Sequence, residues 1–366
     1  MAILLSICKF FMKIIYFFLK LLPTKEKQIL FLSRQENKPS IDFQYMIDDI
    51  HSRYPDYHLV VLTKRMEKNN IKQTILYPFH ILKQLKCLAT SEICVTDGYQ
   101  IVISCLKHKK ELKIYQIWHS LGAIKAFGYQ TLNTKRDKAI AKVMHMHQGY
   151  TYIMSASHDM IPYFAKAFNN PVEKFKVLGL PRIDYLIETE KYNKEKVYIE
   201  YPELKKKKVI LYVPTFRTYD EYKVDELIDA CKDLKGYQLV IKKHPRMKIE
   251  IDNQYTYDKC SSFEFLSVAD YVITDYSAMS IEAAILNKPV ILYVYDEDKY
   301  REYEGINTDL YEDLPGYVFK EEKDIAKLIK EDNYDMEVLT KYRKKYVENT
   351  NGTCTKELVD FIINNK

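Results

Sequence analysis

Two histidines stand where acid–base chemistry is possible. His119 follows the apolar run 113–118 and precedes Gly122, Lys125 and Gly128. At a strand end, a histidine beside glycines suits a base working near a phosphate, with Lys125 close to the same anion. A structural histidine in a turn is the plainer alternative. His244 follows the run 237–243 and is flanked by Lys242, Lys243 and Arg246, a setting that favours an anionic partner. Two arginines sit in similar positions after apolar runs: Arg182, close to Asp184, and Arg217, in Pro214-Thr215-Phe216-Arg217. Arg182 either lines the site or pairs with Asp184. Arg217 is of the type that clamps a pyrophosphate through two parallel N–H donors.

The segment 269–291 reads strand, polar turn, helix, strand. Asp275 and Ser277 are good helix N-caps. The helix they open offers free backbone N–H groups, near Ser277 and Ala278, to a phosphate. Glu282, about one turn in, suits ribose hydroxyls. A capped helix without a ligand reads equally well. Asp296-Glu297-Asp298 has the form of a metal-binding acidic pair, but it follows the last long strand of its half and reads as a surface loop. His145 and His147 lack a third ligand nearby, so a zinc site is not expected. No P-loop, GxSxG or GxGxxG motif occurs.

Positioning these residues requires strands that alternate with helices. Strand-like runs fall at 28–33, 58–63, 92–97, 113–118, 151–157 and 174–179, and again at 208–214, 237–243, 271–275, 289–294 and 316–319. Short β-branched runs separated by amphipathic stretches argue for parallel βαβ sheets. The series occurs twice, with a charged break at 188–207 that reads as a linker. The expected fold is α/β, with two Rossmann-like domains facing a cleft. The expected domains are 24–187 and 188–345. The last segment, 346–366, is expected to be a helix that crosses back to the first domain. Ligands in such folds sit beyond the carboxyl ends of strands.

A chain of 366 residues with 47% hydrophobic and 29% charged residues is long enough for two folded domains. The net charge of +6 fits an anionic partner but carries no nucleic-acid signature. Seven cysteines without a CxxC pair read as reduced thiols. Residues 1–23 are strongly apolar, with Lys9, Lys13 and Lys20 falling within roughly 40° of one another on a helix. Spanning a bilayer would put Lys13 near its centre at a cost of roughly 2.5–3.5 kcal/mol. No small-x-small cleavage site follows. An amphipathic helix lying on the membrane, lysines toward anionic head groups, is the expected arrangement, with a buried first helix of the domain as the alternative.

Taken together, these segments resemble the CDP-glycerol glycerophosphotransferases of teichoic-acid and capsule synthesis. The resemblance runs from about Trp118 to the C-terminus. It is carried by Trp118-His119-Ser120, Gly179 to Asp184, Pro214 to Arg217, His244-Pro245, Thr274 to Ser277, Lys288-Pro289, Tyr295-Asp296, Pro315-Gly316 and Asn351-Gly352-Thr353. Ser120, Ala278, Glu282 and Glu304 depart from the commonest family pattern. The resemblance implies a GT-B-like architecture, with 24–187 as the acceptor domain and 188–345 as the CDP-donor domain. It implies attack by an acceptor hydroxyl on the β-phosphorus of CDP-glycerol or CDP-ribitol, with CMP leaving. It implies His119 as base and His244 at the donor phosphates. Arg217, Asp275, Ser277, Ala278, Glu282, Lys125, Gly122 and Arg182 would bind the donor. No cofactor and no metal is implied. The implied partners are a lipid-linked polymer acceptor and the cytoplasmic face of the cell membrane, where the protein would be peripheral. A nucleotide-sugar glycosyltransferase and an inert scaffold are the alternatives.

Overall fold

The computed structural model describes residues 2–66, 71–219 and 221–365. The chain divides into two compact units. Unit 1 comprises Met1–Ser120, Phe127–Asp184 and Thr353–Lys366, and unit 2 comprises Leu121–Ala126 and Tyr185–Gly352.

Unit 1 is built on six parallel strands: β1 (Gln28–Ser33), β2 (His58–Thr63), β3 (Ile93–Thr96), β4 (Lys113–Gln116), β5 (Tyr152–Ser155) and β6 (Phe175–Val177). Their order is β2-β1-β3-β4-β5-β6. Every residue of β1 is buried, as its unbroken run QILFLS requires of a central strand covered on both faces. β2, at the edge, buries only Leu62 fully. Unit 2 holds five parallel strands: β7 (Lys208–Tyr212), β8 (Tyr237–Ile241), β9 (Ala269–Thr274), β10 (Val290–Tyr293) and β11 (Val318–Phe319). They lie in the order β11-β10-β9-β7-β8. Alternate residues on one face of this sheet, among them Ile210, Tyr212, Ile273, Ile291 and Tyr293, pack with Leu227, Ile325 and Ile329 from the helices Val224–Cys231 and Glu322–Glu331. Each sheet has one switch point, where successive strands leave in opposite directions. It lies between β1 and β3 in unit 1 and between β7 and β9 in unit 2.

The charged stretch 188–207 is not a linker. It continues the 20-residue helix Pro181–Glu200, and the boundary between the units falls inside that helix, at Asp184 and Tyr185. Its Glu and Lys residues are good helix formers, and Ile183, Leu186 and Val197 are buried beneath them. The final helix, Cys354–Asn364, belongs to unit 1 and packs on the helix Ile41–Arg53. The Tyr54 hydroxyl donates to Asp360 (2.8 Å), and Arg53 pairs with the same carboxylate. The Asp184 carboxylate accepts from the N–H groups of Cys354 (3.1 Å) and Thr355 (2.7 Å). Gly179 permits this approach: its φ is +73°, and a Cβ there would lie 2.5 Å from Cys354 Sγ.

The N-terminal helix, Ala2–Leu19, reverses the expected orientation of its lysines. Lys9 donates to the Val143 carbonyl (2.6 Å) and, just beyond the helix, Lys20 donates to the Lys107 carbonyl (3.0 Å). Both therefore face the protein, while Lys13 is exposed. Tyr16 is fully buried, its hydroxyl 2.8 Å from His108 Nδ1. The open face is apolar: Phe10, Phe11, Phe17, Phe18 and Leu21 are each more than half exposed. Among the described residues, no helix is long and apolar enough to cross a membrane.

Candidate active site

In unit 1 the chemistry gathers at the carboxyl ends of β1, β3 and β4. Trp118, just after β4, has φ +60°, a left-handed conformation rarely adopted by so bulky a residue. Its ring is wedged between Phe127 (centroids 5.0 Å) and Phe168 (4.9 Å), and its backbone N–H donates to Gln116 Oε1 (2.9 Å). These contacts hold the strained turn, and strain of this kind collects at functional sites. The turn sets the His119 ring against Trp118, 4.0 Å between centroids.

His119 Nδ1 lies 2.9 Å from the main-chain oxygen of Asp97. A carbonyl can only accept, so Nδ1 carries the proton and Nε2 keeps its lone pair. That is the tautomer of a base. Although solvent reaches the side chain, burial lowers its pKa below 6.5; the Asp97 carbonyl is the largest opposing influence, Arg182 adds to the lowering and Asp42 opposes it.

His244, after β8 in unit 2, has the opposite arrangement. Its Nδ1 accepts from the Arg246 N–H (3.2 Å). The proton of the neutral ring therefore sits on Nε2, which becomes a donor. Burial, Arg246 and Lys125 all lower its pKa, so the neutral ring is favoured. Lys125 is half-buried, with its ammonium 5.9 Å from the Tyr300 ring centroid. That ammonium has no hydrogen-bond or ion-pair partner among the described residues. Burial lowers its pKa, opposed by Asp275 and Glu304 and aided by Arg217. Lys125 is held by backbone pairing with 305–307: Ala126 N donates to Gly305 O (3.0 Å) and Asn307 N to Ile124 O (2.8 Å).

Arg217 does not occupy the place of a pyrophosphate clamp. Its side chain is fully buried. Nη1 donates to the Thr215 carbonyl and Asp275 Oδ2 (both 2.8 Å), and Nε and Nη2 donate to Asp296. The rings of Tyr222, Tyr276, Tyr295 and Tyr300 enclose it, the nearest with its centroid 4.7 Å away. Asp275 is correspondingly not a helix cap. It spans the switch point, accepting from Thr215 N (3.0 Å), the Thr215 hydroxyl and Tyr276 N (2.7 Å) as well as from Arg217. Asp296, read as part of a surface loop, is buried, and it also accepts from the Tyr219 and Tyr276 hydroxyls.

The other residues singled out in the sequence divide in the same way. Ser277 and Ala278 are half-buried at the start of the seven-residue helix Met279–Ile285, and the Ser277 hydroxyl accepts from Met279 N (3.2 Å). Glu282 is buried in that helix. Gly122 makes a packing contact in place of a ligand contact: a Cβ there would lie 2.4 Å from Ile281 Cδ1 and 2.7 Å from Tyr346 Cδ1. Arg182 pairs with Asp42 rather than Asp184, through Nε (3.0 Å), Nη2 (2.5 Å) and its backbone N–H (2.8 Å). His147 is buried against Tyr150 (3.1 Å), and among the described residues no cluster of His, Cys, Asp or Glu has metal-site geometry. Asp42 and Asp97 were missed in the sequence. Asp97 had a usable signal, as the polar residue closing the run EICVTD before a glycine.

Two parallel α/β units, each with one switch point and a histidine just beyond a strand end, make up a GT-B-like α/β fold. The chain belongs to the CDP-Glycerol:Poly(glycerophosphate) glycerophosphotransferase family, whose model matches residues 14–364. It is 28% identical over 365 residues to the teichoic acid poly(ribitol-phosphate) polymerase of Bacillus spizizenii; the match covers 94% of this chain but 57% of that longer protein. It is 26% identical to the teichoic acid glycerol-phosphate primase of Bacillus subtilis, covering 97% of this chain and 96% of the primase. Among solved structures, the wall teichoic acid polymerase TagF has a similar fold, with a TM-score of 0.70 at 20% identity over 100% of this chain and 96% of that one.

Proposed function

We propose that the protein transfers glycerol phosphate, or another polyol phosphate, from a CDP-activated donor to a lipid-linked teichoic-acid or capsule acceptor, releasing CMP. The observation that carries this reading is the opposed proton placement on its two imidazoles, with Nε2 bare on His119 and protonated on His244. The acceptor hydroxyl gives its proton to His119 Nε2 as its oxygen bonds to the β-phosphorus of the donor. The bond from that phosphorus to the bridging oxygen breaks, and CMP leaves with the bonding pair. His244 Nε2–H donates a hydrogen bond to the phosphate, and the unpaired Lys125 ammonium neutralises charge that builds there. Ser277, Ala278 and Glu282 are assigned to the nucleotide. Arg217 acts indirectly, by fixing Asp275 and Asp296. Family membership and relatives described as primases and polymerases support a polyol phosphate as the group transferred.

The same reading puts the protein on the cytoplasmic face of the membrane, held by the apolar face of its N-terminal helix. A face of Phe, Leu and Ile with most of its basic groups turned inward suits insertion among acyl chains. The functional reading is tested with CDP-glycerol, CDP-ribitol and UDP-sugars, each with a lipid-linked acceptor. CMP release from a CDP-polyol and a product heavier by one polyol phosphate are expected. Turnover with a UDP-sugar alone would overturn it in favour of a glycosyltransferase.

A further inference from the structure

Asp97 is unused by the chemistry described so far. It follows β3 directly, at the switch point where β1 and β3 diverge. The residue is 1% exposed, and neither carboxylate oxygen has a hydrogen-bond partner of good geometry. A buried acceptor left unmade costs stability, and each such case in a folded protein needs a reason. Burial pushes the carboxyl up to about 7; the Ser33 hydroxyl opposes this, Asp42 adds to it and Arg182 opposes it. The backbone oxygen of Asp97 is the atom that fixes His119 Nδ1, so the unpaired carboxyl and the base share one residue's reach. Beside them, the half-buried Gln35 lays its amide nitrogen 3.4 Å from His119 Nδ1 and against Gly98, where a Cβ would lie 2.9 Å from that nitrogen.

We propose that Asp97 is a hydroxyl-binding residue on the acceptor side. With the Gln35 side chain turned away, its carboxyl takes a hydrogen bond from one hydroxyl of the acceptor's terminal polyol unit and so presents the adjacent hydroxyl to His119 Nε2. The ligand class follows from the chemistry of the site. A carboxyl beside Asp42 repels phosphate, and no cluster of metal-ligating side chains surrounds it among the described residues. A polyol brings two O–H donors on neighbouring carbons, one to hold and one to react. The inference rests on the transferase reading above.

The test uses the full chain, CDP-glycerol as donor and two soluble acceptors, the butyl esters of glycerol phosphate and of 3-hydroxypropyl phosphate. The second lacks the neighbouring hydroxyl. For the wild type, the acceptor KM is expected to be about tenfold higher for the second ester. Asp97→Ala is expected to raise the KM for the glycerol ester about tenfold, erase the difference between the esters and leave the donor KM unchanged. Asp97→Asn, which keeps one acceptor oxygen, is expected to fall between the two. Neither variant should melt below the wild type, because an unpaired buried carboxyl is removed. An unchanged acceptor KM, or a preserved difference between the esters in Asp97→Ala, overturns the inference while CMP release by the wild type leaves the transferase reading standing. If the wild type releases no CMP from any CDP-polyol, both fall together.

Discussion

Asp97 and Asp275 occupy the same topological position, one in each unit, immediately after the strand that turns away from the first at the switch point. Both are buried. Asp275 is saturated by Thr215, Arg217 and Tyr276, whereas the Asp97 carboxylate is left without a good partner. The same architectural place is thus a structural joint in unit 2 and an open acceptor in unit 1.

Removing the charge of Asp275 leaves the buried guanidinium with Asp296 as its one carboxylate partner. Asp275→Asn is expected to lower the unfolding free energy by about 3–5 kcal/mol, the usual loss when one partner of a buried ion pair is removed. Urea unfolding measures it. A loss under 1 kcal/mol would mean that Asp296 alone can hold Arg217.

The two imidazoles should respond differently to an amide. Glutamine presents a donor N–H near the position of Nε2 but cannot accept a proton at working pH. His244→Gln is expected to keep more CMP release than His244→Ala, by about tenfold or more. His119→Gln should be as inactive as His119→Ala, with folding intact by circular dichroism. Equal activity of the two variants at position 244 would remove the donor role.

The pH dependence follows from the direction of the shifts. A base must be unprotonated, and the pKa of His119 lies below 6.5. The acid limb of kcat/KM is therefore expected below pH 6.5, with little loss between pH 8 and 6.5. His244 works as a neutral donor, so it should add no alkaline limb near neutrality. A fall in kcat/KM from pH 6 to 8 that disappears in His244→Gln would instead mark it as a cationic acid.

His147 offers a stability test independent of activity. Burial takes its pKa down to about 3, with Arg34 and His119 adding to the effect. Between about pH 3 and 6.5 the unfolded chain binds a proton that the native state does not. Stability should therefore rise with pH across that window and fall on acidification, by up to about 1.4 kcal/mol per unit. His147→Asn, whose short side chain tolerates the left-handed backbone at this position, is expected to reduce that slope. An unchanged slope would assign the acid sensitivity to other groups.

Membrane attachment separates the two faces of the N-terminal helix. Phe10→Ser with Phe18→Ser is expected to abolish sedimentation with anionic vesicles. Lys9→Ala should leave binding intact and lower thermal stability, because that lysine bonds to the protein. If Lys9→Ala loses the vesicles and the Phe variant keeps them, the basic stripe is the anchor after all.

The eleven strands of the described residues were legible, with boundaries within two residues, because central parallel strands read as unbroken β-branched runs. The positions of His119 and His244 followed, since both lie just past such runs. Their proton placement did not follow. It depends on Asp97 O, which is distant in sequence, and on the local turn that brings Arg246 N to His244. Arg217 misled for the same reason: an arginine after a strand looks available until Asp275 and Asp296, 58 and 79 residues away, are seen to take it. The helix that runs through the charged stretch to Glu200 was hidden by its charge. It buries few residues, so its periodicity is faint. The lysines at the N-terminus formed a stripe as read, but a stripe does not say which side faces water.

The division of the chain has a consequence for how the protein is made. Unit 1 opens with Met1–Ser120, yet it is completed by Thr353–Lys366, which is synthesised only after the whole of unit 2. The buried face of that stretch, Leu358, Ile362 and the neighbouring Val359, belongs to the core of unit 1, and Asp184 waits for the N–H groups at its start. A nascent chain therefore carries an unfinished first unit throughout synthesis of the second, with the final helix that packs on the helix Ile41–Arg53 still to come. Chimaeras that exchange whole units must accordingly move separate segments, the short insert Leu121–Ala126 among them, and a simple cut near residue 185 leaves both products incomplete.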